Sequence, residues 1–240
     1  MWTSTAVISG VFVPTRYGLE RCIVNARTFL LLVLLAAFQL TPATARASEP
    51  VRLLALGDSL AAGYGLPRED GFTEQLERSL RADGHDVIVI NAGVSGDTTA
   101  GGLARLDWVV DSVGDGGPDA VIVELGANDG LRGIDPDVTY NNLDSIVSRL
   151  RERGLPVLIA GMRAPPNLGA EYVEAFDAIF PRVADKHGVP LYPFFLEGVA
   201  ARPHLNLADG IHPNREGIAV IVERITPAVT QLVEQAEAAR

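Results

Sequence analysis

Val51-Arg52-Leu53-Leu54-Ala55-Leu56-Gly57-Asp58-Ser59-Leu60 runs from an almost wholly aliphatic hexapeptide into a glycine, then into two residues that cap helices well. A stretch so dense in apolar residues, with no polar alternation, reads as a strand over 51–56 buried on both faces of a parallel sheet. Gly57 ends it, and Asp58 or Ser59 opens a helix. The same pattern recurs along the chain. Short apolar runs at 86–91, 120–125, 156–161 and 189–192 alternate with helical patterns near 71–83, 99–112, 137–153, 170–187 and 214–238. In the third helix Leu143, Ile146, Val147 and Leu150 recur at three- and four-residue spacing, between an Asp135-Pro136 start and a Gly154-Leu155-Pro156 stop. Five strand-then-helix units predict one α/β domain, a three-layer α/β/α sandwich around a five-stranded parallel sheet.

Composition agrees with one core: 240 residues, 48 % hydrophobic and 6 % aromatic. The first 47 residues read differently. Arg16, Arg21 and Arg27 precede an uncharged apolar run at 28–40, and Ala43-Thr44-Ala45 and Ala45-Arg46-Ala47 follow it. A basic flank, a short apolar run and a small-residue site predict a signal peptide over 1–47, a mature domain over 48–240, and a periplasmic or secreted product. A run this short does not span a hydrocarbon core of about 30 Å, so no stable membrane anchor is expected after cleavage. Cys22, the only cysteine, falls in the predicted leader, which excludes thiol catalysis, disulfides and Cys-ligated zinc from the mature chain. Loss of four arginines and Glu20 with the leader takes the net charge from -10 to -13. So acidic a chain repels phosphate backbones, and no nucleic-acid partner is expected.

In doubly wound sheets ligands bind outside the carboxyl ends of the strands, and four of the five post-strand loops here carry chemistry. Ser59 would sit at a helix start, with its hydroxyl in positive dipole potential and free N–H groups around it. Read alone, Asp58-Ser59 serves equally as a helix cap, and Ala61 breaks the G-x-S-x-G elbow pattern. The second loop, Asn91-Ala92-Gly93-Val94-Ser95-Gly96-Asp97-Thr98, lets a backbone N–H approach a ligand, with Gly93 as candidate donor. A tight strand-to-helix turn is the alternative there. In the third, Gly126-Ala127-Asn128-Asp129-Gly130, Asn128 could aim its carboxamide into the crevice or simply make a turn. In the fourth, Asp209 and His212 stand three apart, so the carboxylate can hold Nδ1 and leave Nε2 free as a base, ahead of Pro213 at a helix start. His85 and His187 read as surface helix-end residues without such a partner, and His204 has no assignment.

Together, Gly57-Asp58-Ser59-Leu60, Gly93, Gly126-Ala127-Asn128-Asp129 and Asp209-Gly210-Ile211-His212-Pro213 resemble the four sequence blocks of the SGNH (GDSL) hydrolase family. The likeness spreads over about 51–225. Val94-Ser95-Gly96-Asp97-Thr98, Gly102-Leu103-Ala104-Arg105-Leu106 and Asn128-Asp129-Gly130-Leu131-Arg132-Gly133 are similar to the bacterial multifunctional acyl-CoA thioesterase, arylesterase and lysophospholipase branch. The resemblance implies a flavodoxin-like sheet and an acyl-enzyme serine hydrolase that cleaves esters and thioesters. It implies Ser59 as nucleophile, His212 as base, Asp209 as orienting acid, and an oxyanion hole of Ser59, Gly93 and Asn128. It implies no metal or cofactor, and a small-molecule ester or thioester as partner. Two departures stand out: Ala127 where a second glycine is usual, and Ala164 and Pro166 in a loop that borders the acyl groove in the family. Asp129, Leu131, Ile134, Ala164 and Pro165 are the groove candidates, with Phe194 and Phe195 leaning the same way. A carbohydrate O-acetyl esterase and a non-catalytic lipid- or glycan-binding domain are the alternatives on this scaffold.

Overall fold

The computed structural model describes residues 49–240; the predicted leader and Cys22 lie outside them. Five strands, β1 (Val51–Gly57), β2 (Val87–Gly93), β3 (Ala120–Glu124), β4 (Val157–Ala160) and β5 (Leu191–Tyr192), form one sheet in the order β2-β1-β3-β4-β5. Every pairing is parallel. Leu53, Leu54, Leu56, Val121, Ile122 and Val123 are fully buried, as residues covered on both faces must be.

The helices are α1 (Ser59–Ala62), α2 (Phe72–Ala82), α3 (Thr99–Asp111), α4 (Ala127–Leu131), α5 (Pro136–Glu152), α6 (Ala170–Asp177), α7 (Ile179–His187) and α8 (Arg215–Ala238). Helices α2 and α8 pack together, while α5 packs against both α3 and α7. Buried phenylalanines seal the layers: Phe72 meets Phe195 edge-on at 4.9 Å, and Phe176 meets Phe180 at 5.7 Å. Among the described residues, no helix is long and apolar enough to cross a membrane.

The expected helix over 170–187 is two helices that part at Ala178. Pro181 favours the break: it has no N–H to bond the Asp177 carbonyl, and as the third residue of α7 it lies in a first turn, where that bond is not needed. The predicted strand at 189–192 shrinks to two residues.

The carboxyl edge of the sheet is shaped by two missing side chains. Gly57 and Gly93 are partners in register. A Cβ on Gly93 would stand 2.3 Å from the Ala62 amide nitrogen, and one on Gly57 would stand 2.6 Å from both Ala61 Cβ and Glu124 Oε2. Helix α1 therefore lies directly on the ends of β1 and β2, and glycine is required at both positions. Gly93→Ala should destabilise the protein by about 1–3 kcal/mol through overpacking against backbone, read as a lower urea midpoint at unchanged m-value.

Candidate active site

The four-residue helix α1 begins with Ser59. Asp58 is its N-cap and accepts the Leu60 N–H at 2.9 Å, and Gly63 ends it with φ 76°. As the first helical residue, Ser59 has no intrahelical acceptor for its own N–H. Its side chain is almost buried, yet its hydroxyl meets His212 Nε2 at 2.9 Å across 153 residues of sequence.

His212 comes from a small hairpin ahead of α8. Asn206 bridges Pro213 in antiparallel fashion, Leu207 N–H donates to the His212 carbonyl at 2.7 Å, and Gly210 turns the chain at φ 76°. Inside that turn Asp209 Oδ2 holds His212 Nδ1 at 2.8 Å, while Oδ1 accepts the Ile211 and His212 N–H groups at 3.0 Å each. These bonds, led by that of the His212 N–H, hold the Asp209 pKa down at about 2. The carboxylate therefore stays ionised down to strongly acidic pH, and it fixes the tautomer with Nε2 facing Ser59.

Beneath Ser59 lie two buried acids. Burial pushes the Asp58 pKa up to about 6, against the pull of the Leu60 and Asn128 N–H groups. Burial and the neighbouring Asp58 charge drive Glu124 far above the usual carboxylate range. Glu124 Oε2 accepts the Asp58 N–H at 3.3 Å, and Oε1 has no partner among the described residues.

Asn128, in the first turn of α4, donates from Nδ2 to Asp58 Oδ2 at 3.0 Å and to the Asp97 carbonyl at 2.9 Å. Gly93 does not reach the site. Its N–H is taken by Asn91 Oδ1 at 2.9 Å, and it packs under α1. Three residues on, Gly96 occupies the place expected of Gly93. It lines the cavity beside Ser59 and Asn128, and its N–H has no acceptor among the described residues.

A cavity of about 490 Å³ opens from this cluster. Leu131 and Pro165 line it; Asp129, Ile134 and Ala164 do not. Asp129 is buried, accepting the Thr99 N–H at 2.9 Å, the Thr99 hydroxyl, and the Thr139 hydroxyl at 3.3 Å. Ala164 is buried with its N–H on Asp177, and the Ile134 carbonyl accepts the Tyr172 hydroxyl at 2.7 Å. Phe195 is core, and Phe194 lies 4.9 Å under the Arg163 guanidinium. Much of the remaining apolar wall comes from Tyr64, Met162, Leu196, Ala200 and Ile211, which no periodicity marks. Two other histidines prove to have acidic partners after all: His187 Nε2 meets Asp144 at 2.7 Å, and His85 Nδ1 lies 3.6 Å from Glu237.

A family model described as GDSL-like lipase/acylhydrolase matches residues 55–220. An arylesterase from Vibrio mimicus is 44 % identical over 192 residues, which is 80 % of this chain and 94 % of that protein. A protein of Escherichia coli named thioesterase 1/protease 1/lysophospholipase L1 is 39 % identical over 205 residues, 85 % of this chain and 92 % of that one. Among solved structures, AlinE4, described as an SGNH-hydrolase family esterase, superposes with a TM-score of 0.65 at 48 % identity, covering 76 % of this chain and 96 % of that chain.

Asp129→Ala should cost about 1–3 kcal/mol, because it strands the buried Thr99 N–H. Thermal melting checks this; Asp129→Asn, whose carboxamide oxygen can still accept the Thr99 N–H, should lose less than Asp129→Ala.

Proposed function

Because the chain belongs to the GDSL-like lipase/acylhydrolase family, we propose that it hydrolyses carboxylic esters and thioesters through an acyl-enzyme on Ser59. The observation that carries this is the continuous relay from Asp209 to His212 to Ser59, at 2.8 and 2.9 Å, opening on an apolar-walled cavity.

His212 Nε2 takes the Ser59 hydroxyl proton as Oγ attacks the carbonyl carbon, and the carbonyl electron pair moves onto oxygen. The Ser59 and Gly96 N–H groups and Asn128 Nδ2 receive that oxyanion. In the resting site one Asn128 N–H serves a carboxylate and the other the neutral Asp97 carbonyl. The carbonyl is the weaker acceptor, so a developing oxyanion competes best for that hydrogen. Collapse expels the alcohol or thiol, which takes the proton from His212; a water deprotonated by the same nitrogen then attacks the acyl carbon, and the acid leaves as Ser59 Oγ regains that proton. Because Asp209 remains ionised down to a pKa of about 2, loss of activity on mild acidification does not come from neutralising the orienting carboxylate.

Leu131, Met162, Pro165, Leu196 and Ile211 around the cavity favour an acyl or aryl group over the shallow polar crevice that an acetylated sugar would need. The names of the relatives, arylesterase and thioesterase/lysophospholipase, support the same substrate range. We place the enzyme in the periplasm or outside the cell on the strength of the apolar run at 28–40 and its flanks.

Ser59→Ala should abolish both hydrolysis of p-nitrophenyl esters and labelling by a fluorophosphonate, with the fold retained; a labelled Ser59→Ala protein would put the nucleophile elsewhere. Asn128→Ala should lower kcat about 10²–10³-fold. On expression with its own leader, mass spectrometry of the exported protein should find a new N-terminus at or near residue 48, and an intact residue 1 would refute export by cleavage.

A further inference from the structure

His212 has both ring nitrogens occupied, by Asp209 and by Ser59, so only its two faces remain open to a further interaction. Tyr64 takes one of them. Its ring centroid lies 4.4 Å from that of His212, with the planes tilted by 35°. The placement is built into the nucleophile's own turn. After Gly63 ends α1 in the left-handed region, the Tyr64 N–H donates to the Ser59 carbonyl at 3.1 Å. The phenol ring is half exposed, lines the substrate cavity, and its hydroxyl bonds to no protein group among the described residues. Core packing does not account for its position.

We propose that Tyr64 is a positioning residue for the reaction, holding the His212 ring in its relay and stabilising the imidazolium that forms each time His212 carries the serine proton. The proposal rests on the serine-hydrolase reading given above. The face of an aromatic ring is its negative region, so it attracts a cation more than it attracts the neutral ring. The neutral base and the imidazolium are therefore affected unequally, and a contact that favours the charged form raises the basicity of Nε2. The proton moves from Ser59 Oγ to His212 Nε2 and on to the leaving group; Tyr64 neither gives nor takes it.

The other charged and titratable groups facing His212 are Asp209 on its own hairpin, Asp58 behind Ser59, and Arg163 on the wall of the same cavity. None of these changes when only Tyr64 is replaced. Any movement of the His212 titration then belongs to the ring.

The test compares Tyr64→Phe, Tyr64→Trp and Tyr64→Leu by pH profiles of kcat/KM on p-nitrophenyl butyrate, which report the free-enzyme base, and by NMR titration of the His212 ring protons. Phe should keep the wild-type acid limb, because it keeps the ring face. Trp should hold it or move it to higher pH. Leu should move it to lower pH, since the imidazolium loses its support, and should lower kcat about 2- to 30-fold. An unmoved acid limb in the Leu variant, with only KM raised, would show that Tyr64 merely lines the cavity and would overturn the proposal. A Phe variant as impaired as the Leu variant would overturn it too, by pointing to the hydroxyl. If the wild-type protein proved inert towards every ester, the hydrolase reading would fail by itself. The NMR titrations would still decide whether the ring raises the His212 pKa.

Discussion

The catalytic edge depends on the absence of side chains at Gly57 and Gly93. With any Cβ at these paired positions, α1 could not rest on the ends of β1 and β2, and Ser59 would be lifted out of reach of His212. The sheet supplies the other half of the constraint. Because all five strands run parallel, loops distant in sequence open on one edge, and residues 59, 96, 128 and 209–212 converge without any of them being sequence neighbours of another group. The cost of precision falls on the same edge. Asp58 and Glu124 sit fully buried and close together, and Glu124 leaves one oxygen unpaired. The compensating bonds run from Asp58 to Leu60 and Asn128, so the groups that bear this electrostatic load are the ones that frame the nucleophile and an oxyanion donor.

The architecture could be read from residues because it is written in apolar density. Strands buried on both faces leave no alternation to misread, and β1 through β4 lie within one or two residues of their expected ends. The break at Ala178 was also written, in Pro181, but the amphipathic spacing runs smoothly across it and hides the interruption. The second loop shows where residue type is not enough. Gly93 and Gly96 are equally capable of presenting an N–H, and only the register of β2 against β1 shows that the first is pinned under α1 while the second faces the cavity. Asp129 shows the same limit in a helix. It follows Asn128 directly, but on α4 successive residues point about 100° apart, so Asp129 turns into the protein to hold Thr99.

The groove was the least legible part. Its wall combines residues from the turn after α1, the loops after β3, β4 and β5, and the His212 hairpin, and no one segment carries a pattern that marks it. Candidate residues chosen for being apolar and near a strand end therefore divide between the cavity, as with Leu131 and Pro165, and the core, as with Ala164 and Phe195. The catalytic groups escape this ambiguity because their residue types are chemically restrictive, whereas many apolar side chains can build a wall.

The last residue of the chain is tied back to the first strand. Arg240 donates to the Glu49 and Pro50 carbonyls and pairs with Asp119 Oδ2 at 2.6 Å, so both ends of the domain meet at the amino end of the sheet, away from the catalytic loops. A short peptide could therefore join residue 240 to residue 49, and the closed chain could be reopened in a surface turn such as Gly114–Gly117 without disturbing the relay. The same geometry makes residues 49 and 240 attachment points for tethering the enzyme to a solid support with its cavity facing solution.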